Sequence, residues 1–124
     1  MIVENDPDLA QVLMTFFDRH GVETHHAQKG REAIQLSQHI LPDLLVLDLN
    51  ISDGDGFAIV DWLRQHNRLY RTPLVVYTAK DLDHTDRARL KLGQTMFLTK
   101  GRIAPEEFEQ EVINLLSRGI QDRQ

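Results

Sequence analysis

Four short apolar runs in this chain each stop at one polar residue. Met1-Ile2-Val3 ends at Glu4, and Leu44-Leu45-Val46-Leu47 ends at Asp48. Leu74-Val75-Val76-Tyr77 ends at Thr78, and Met96-Phe97-Leu98-Thr99 is followed by Lys100. The run before Asp48 barely alternates, the pattern of a central strand covered on both faces. Segments of helical period lie between the runs. Asp6-Pro7 opens the first, with Asp6 as N-cap and Pro7 at the first helical position. Leu9, Val12, Leu13, Phe16 and Phe17 then recur at helical spacing until Gly21.

The pattern predicts strands over 1–5, 22–27, 44–48, 74–78 and 95–99. It predicts helices over 7–20, 30–40, 57–68 and 83–92, and one from Pro105 onward. Residues 49–56, rich in Asp and Gly, read as a loop. The expectation is one domain over 1–118 and a polar tail over 119–124 that frays. Strands alternating with helices imply an α/β fold: a flavodoxin-like, doubly wound, five-stranded parallel sheet of order 2-1-3-4-5 with five helices.

In such a sheet the C-terminal strand edge is where ligands bind. An acid pair, a hydroxyl and an amine gathered there suggest a phosphoryl group held with a divalent metal. Other classes fit less well. The net charge of −5 argues against a direct nucleic-acid surface. Arg64, Arg68 and Arg71, and likewise Arg87, Arg89 and Lys91, read as solvated helix faces. No apolar stretch is long enough to span a bilayer, and no secretory signal is visible. With no cysteine there is no thiolate chemistry, which fits a reducing, cytoplasmic setting. The six histidines do not form a metal pattern: His25 and His26 are adjacent on a strand and face opposite ways. Trp62 and Phe57 read as packing residues. A flavin carrier needs a neutral phosphate-cradling loop where this chain has Glu4-Asn5-Asp6. A haloacid-dehalogenase-like phosphatase needs an Asp where this chain has Asn50.

The chain resembles the receiver domains of bacterial response regulators in two-component systems. The residues that carry the resemblance are Val3-Glu4-Asn5-Asp6-Pro7, Pro42 to Leu49, Asp55-Gly56-Phe57, Thr78-Ala79, Gly93 and Phe97-Leu98-Thr99-Lys100. It implies that Asp48 accepts a phosphoryl group from a histidine kinase or phosphotransfer protein. Thr78, the Ala79 N–H and Lys100 would bind the phosphate. Glu4, Asn5, Asp48 and the Asn50 carbonyl would hold Mg2+. Thr78 and Phe97 would form the switch, and residues 82–117 the surface that changes for an effector domain or partner protein, or in a homodimer. Lys80 would overhang the site and affect water access to the acyl phosphate. The domain would not be an enzyme, beyond a slow self-dephosphorylation.

Three positions depart from the family. Asn5 stands where a second acid is usual, which should weaken Mg2+. Gly101 replaces a usual proline, so Lys100 should be less firmly aimed, and Ser52 replaces another in the loop after Asp48. Together with Phe97, which lacks a hydroxyl, Asn5 and Gly101 motivate an alternative: a degenerate receiver serving as a phosphorylation-independent interaction module. The chain starts three residues before Glu4, which suggests a piece of a longer protein.

Overall fold

The computed structural model describes residues 1–51 and 54–122. Its elements run β1 (Ile2–Val3), α1 (Pro7–Arg19), β2 (His26–Ala27), α2 (Gly30–His39), β3 (Leu45–Leu47), β4 (Asn50–Ile51), β5 (Gly54–Asp55), α3 (Gly56–Arg64), β6 (Leu74–Thr78), α4 (His84–Arg89), β7 (Thr95–Thr99) and α5 (Pro105–Asp122). The main sheet is parallel throughout, in the order β2-β1-β3-β6-β7. Counted along that sheet, this is the expected 2-1-3-4-5 arrangement with five helices.

Each strand serves both faces because successive side chains point opposite ways. Val3, Leu45, Leu47, Leu74 and Val76 join the core on the side of α2 and α3. Ile2, Leu44, Val46 and Val75 join the core on the side of α1 and α5. Phe16 and Phe17 of α1, with Phe108, Val112, Leu115 and Leu116 of α5, fill that second layer. Burying each such side chain contributes about 1.5–3 kcal/mol, and together they seat α5 against the sheet.

Several elements differ from expectation. The loop over 49–56 contains a small antiparallel pairing, Asn50 with Asp55 and Ile51 with Gly54. Ser52 lies outside the described residues. α4 is only six residues long and buries none of them. α5 continues through Gly119 to Asp122, where a tail was expected; a glycine in a helix costs only about 1 kcal/mol relative to alanine. α3 begins at Gly56, where a Cβ would stand 2.6 Å from Leu49 Cδ2 and 3.2 Å from Leu49 Cα. A bare glycine therefore lets α3 start hard against the exit of β3, beside Asp48.

Candidate phosphoryl site at the strand ends

Parallel register gathers the four polar strand-end residues. Val3 pairs with Leu47, so Glu4 and Asp48 leave neighbouring strands at the same level, and Asp48 N–H donates to Val3 O at 3.0 Å. Thr78 pairs with Thr99, and Lys100 N–H donates to Thr78 O at 2.9 Å. Glu4, Asp48 and Thr78 are all buried.

Lys100 links the two acids. Its Nζ donates to Glu4 Oε1 at 2.7 Å and to Asp48 Oδ2 at 2.9 Å. The remaining oxygens are also engaged: Asp6 N–H donates to Glu4 Oε2 at 3.2 Å, and Asn50 N–H to Asp48 Oδ1 at 3.1 Å. Lys100 is therefore well aimed despite Gly101. Gly101 takes φ of 81°, a left-handed turn that proline cannot adopt, and Arg102 N–H closes it on Thr99 O at 3.1 Å. Burial pushes the Glu4 carboxyl above its ordinary value, against the opposing hydrogen bonds from Lys100 and Asp6. Burial alone would lower the Lys100 ammonium; hydrogen bonds and charge from Asp48 and Glu4 outweigh it and hold the amine above its ordinary value.

Beside this cluster opens a cavity of about 490 Å³, lined by Asp48, Asn50, Thr78, Ala79, Lys80 and Lys100, with Phe57 at its wall. Lys80 N–H donates to Thr78 Oγ1 at 3.3 Å. Phe97 is half-buried and lines a second cavity, of about 410 Å³, that shares Thr78 and Lys80 with the first. Asn5 and Asn50 are exposed, and neither Glu4 nor Asn5 lines the Asp48 cavity. Asp6 is spent as the α1 N-cap: its Oδ1 accepts from Asp8 N–H at 2.9 Å and Leu9 N–H at 3.4 Å.

Two features escaped the sequence reading. His26 Nε2 donates to Glu4 O at 2.9 Å, fixing the backbone that carries Glu4; only the β1–β2 register could have revealed it. The Arg and Lys clusters are exposed but not merely solvated. Arg64 Nη2 donates to Arg89 O and Lys91 O at 2.6 Å each, and Arg89 pairs with Asp61 at 3.4 Å.

Residues 1–113 match the family described as the response regulator receiver domain. The chain belongs to that family. It is 30% identical over 119 residues to the transcriptional regulatory protein GltR of Pseudomonas aeruginosa, covering 95% of this chain and 48% of that protein. Among solved structures it is similar to the signal receiver domain of a signal transduction histidine kinase from Syntrophus aciditrophicus. That match has a TM-score of 0.79 and 32% identity, and covers 94% of this chain and 87% of the other. The receiver domain of the Francisella response regulator 1452 matches with a TM-score of 0.79 and 29% identity, covering 94% of each chain. The chain spans about half the length of GltR and of most other curated relatives it matches, and about a quarter of the regulatory protein AtoC of Escherichia coli. No helix among the described residues is long and apolar enough to cross a membrane.

Receiver domains generally bind Mg2+ at the acidic site. Among the described residues no three His, Asp or Glu side chains gather as a metal group. The candidate donors here are two carboxylates, the Asn5 amide oxygen and the Asn50 carbonyl. All are hard oxygens of the kind magnesium prefers, so the set suits the ion, with one charge fewer than a three-carboxylate site. Each carboxylate oxygen keeps a second lone pair for such a contact.

Proposed function

We propose that this receiver accepts a phosphoryl group on Asp48 from the phosphohistidine of a histidine kinase or phosphotransfer protein. The observation that carries the reading is Lys100 Nζ bridging Glu4 Oε1 and Asp48 Oδ2 at the rim of an open cavity. An Asp48 oxygen attacks phosphorus, the phosphorus–nitrogen bond of the donor breaks, and the imidazole leaves with that electron pair. Bound Mg2+ would supply charge neutralisation between carboxylate and phosphoryl oxygens; Glu4, Asn5, Asp48 and the Asn50 carbonyl would hold it. Lys100 exchanges its hydrogen bond to Asp48 for one to a phosphoryl oxygen. The Thr78 hydroxyl and Ala79 N–H, both on the cavity wall, donate to the others. Thr78 moving inward opens room for Phe97, whose cavity it shares, and the face over 82–117 changes for an effector domain, a partner protein or a second copy. The setting is cytoplasmic, where such kinases deliver phosphate.

Incubation with acetyl phosphate and Mg2+, followed by intact mass measurement, tests the reading. An added phosphoryl mass that is absent in Asp48→Asn is expected. A wild-type protein that gains none would overturn it. That result would favour the second reading, an interaction module that works without phosphorylation, which Asn5 motivates.

A further inference from the structure

α4 is attached to the domain without burying any of its six residues. Two of its arginines reach aromatic rings instead. Arg87 Cζ lies 5.2 Å from the Phe97 centroid, and Arg89 Cζ lies 4.6 Å from the Phe57 centroid. Two residues apart on a helix, these side chains project to nearly opposite sides. One therefore reaches toward β7 and the other toward α3. At the α3 side Arg89 also pairs with Asp61, and Arg64 ties down the carbonyls of Arg89 and Lys91.

Phe57 carries a second cation. Lys80 Nζ lies 5.5 Å from its centroid, and Lys80 and Phe57 both line the Asp48 cavity. We propose that the Phe57 ring couples that cavity to α4 by holding Lys80 and Arg89 at once, a route separate from Thr78 and Phe97. Two cations sharing one ring repel each other, and each weakens the other's hold. Phosphorylation turns the singly charged Asp48 carboxylate into an acyl phosphate of nearly two negative charges, a net gain of about one placed further out in the cavity, and draws the Lys80 ammonium off the ring. Arg89 then has the ring to itself, and the C-terminal end of α4 tightens against α3. Phe57 is thus a positioning residue for Lys80. The phosphoryl-driven half of this inference rests on the function proposed above; the ring-sharing half does not.

The test is a mutant cycle read by amide hydrogen exchange at Leu90, whose N–H donates to Asp86 O in the last turn of α4. Without any phosphodonor, Lys80→Met is expected to slow that exchange about two- to fivefold, the range a cation–π contact carries. Phe57→Leu is expected to speed it, and Lys80→Met should then have no effect in the Phe57→Leu background. Because Phe57 belongs to the core, Arg89→Gln, an exposed change, provides the same null background without that risk. Lys80→Met acting equally in all backgrounds, or having no effect in the wild type, overturns the proposal. With beryllofluoride and Mg2+, bound ion read by fluorine NMR, Leu90 exchange should slow in the wild type and not in Arg89→Gln. A wild type that binds no beryllofluoride counts against the proposed function, while the donor-free cycle still decides the ring coupling.

Discussion

The Arg87 guanidinium carbon stands 5.2 Å from the centre of the Phe97 ring, across the cavity that Thr78 also lines. Phe97 packs partly against the core on the α2–α3 side, so it is neither a free surface ring nor a fully inserted one. Arg87 meets it at that intermediate depth. For Phe97 to move into space vacated by Thr78, the contact with Arg87 must loosen.

Arg87→Gln should therefore leave folding nearly intact while easing inward motion of Phe97. A partly exposed cation–π contact is worth about 0.5–1 kcal/mol, so urea unfolding should shift by no more than that. The ring protons of Phe97, followed by NMR, should move toward the environment they adopt with beryllofluoride bound. Ring shifts that match wild type in the resting protein would refute a restraining role for Arg87.

How much of this was legible in the sequence follows from the range of each interaction. The strand ends at Glu4, Asp48, Thr78 and Lys100 could be read because an apolar run stopping at a polar residue is a local signal, and parallel register then aligns them without further information. The Asp6 cap was legible for the same reason. The extent of α4 was not. Its Asp83–Asp86 capping box is a local signal that the broad polar stretch over 83–92 hid, and Ala88 is its only apolar residue. The arginine–aromatic contacts were invisible too: Arg89 meets Phe57 across more than thirty residues, and no periodicity encodes that meeting. Gly101 was legible as a departure, yet its effect was misjudged. Lys100 is aimed by two carboxylates and by its own backbone bond to Thr78, not by the residue after it.

Removal of the bridging amine should expose how the acid pair is held. Lys100→Met leaves Glu4 and Asp48 close together with no cation between them. Breaking a buried pair this way costs about 3–5 kcal/mol. Lys100 keeps 21% of its side-chain surface exposed, so a loss of roughly 2–3 kcal/mol is expected here. Adding Glu4→Gln should recover part of that loss by deleting one of the two facing charges. Chemical denaturation of the four proteins in metal-free buffer measures the coupling. Strictly additive effects would mean that Glu4 and Lys100 are not coupled.

The pH dependence has two parts. Glu4 has a folded value raised above the ordinary carboxyl value by burial, against the bonds from Lys100 and Asp6. Folded protein then binds the proton more tightly than unfolded protein, so this group stabilises below the unfolded value and loses that contribution as pH rises through the folded one. Wild type should lose stability relative to Glu4→Gln as pH climbs from about 4.5, by at most about 1.4 kcal/mol per unit for one proton. Lys100 is also raised, with the opposing burial outweighed by its bonds to Asp48 and Glu4. Its contribution is complete below the ordinary lysine value and is lost as pH rises through the higher folded value. Melting of wild type and Glu4→Gln from pH 4 to 8, and of wild type and Lys100→Met from pH 10 to 12, checks both signs; a constant difference across either window refutes the corresponding part.

Asn5→Asp tests whether missing charge or missing geometry sets magnesium affinity. Asn5 is exposed next to buried Glu4, so an added carboxylate there can be hydrated and costs little in the metal-free state. The cluster of Glu4, Asp48 and Lys100 carries a net charge of one negative, and the substitution makes it two. At about 4 Å, one unit charge facing another is worth ~4 kcal/mol at an effective dielectric near 20. A divalent ion feels twice that, and desolvation and screening remove most of it. A gain of about 1.5–3 kcal/mol, or ten- to a hundredfold in affinity, is the expected remainder. Magnesium titration followed by amide shifts of residues 4, 5, 48 and 50 measures it directly. The competing account is that Lys100, engaged with both carboxylates, is the main obstacle to the ion. In that case Asn5→Asp would change affinity less than threefold, while Lys100→Met would raise it by the larger factor. The charge argument instead predicts the full gain from Asn5→Asp with Lys100 in place, because Lys100 has a second acceptor in reach whenever either acid turns toward the metal.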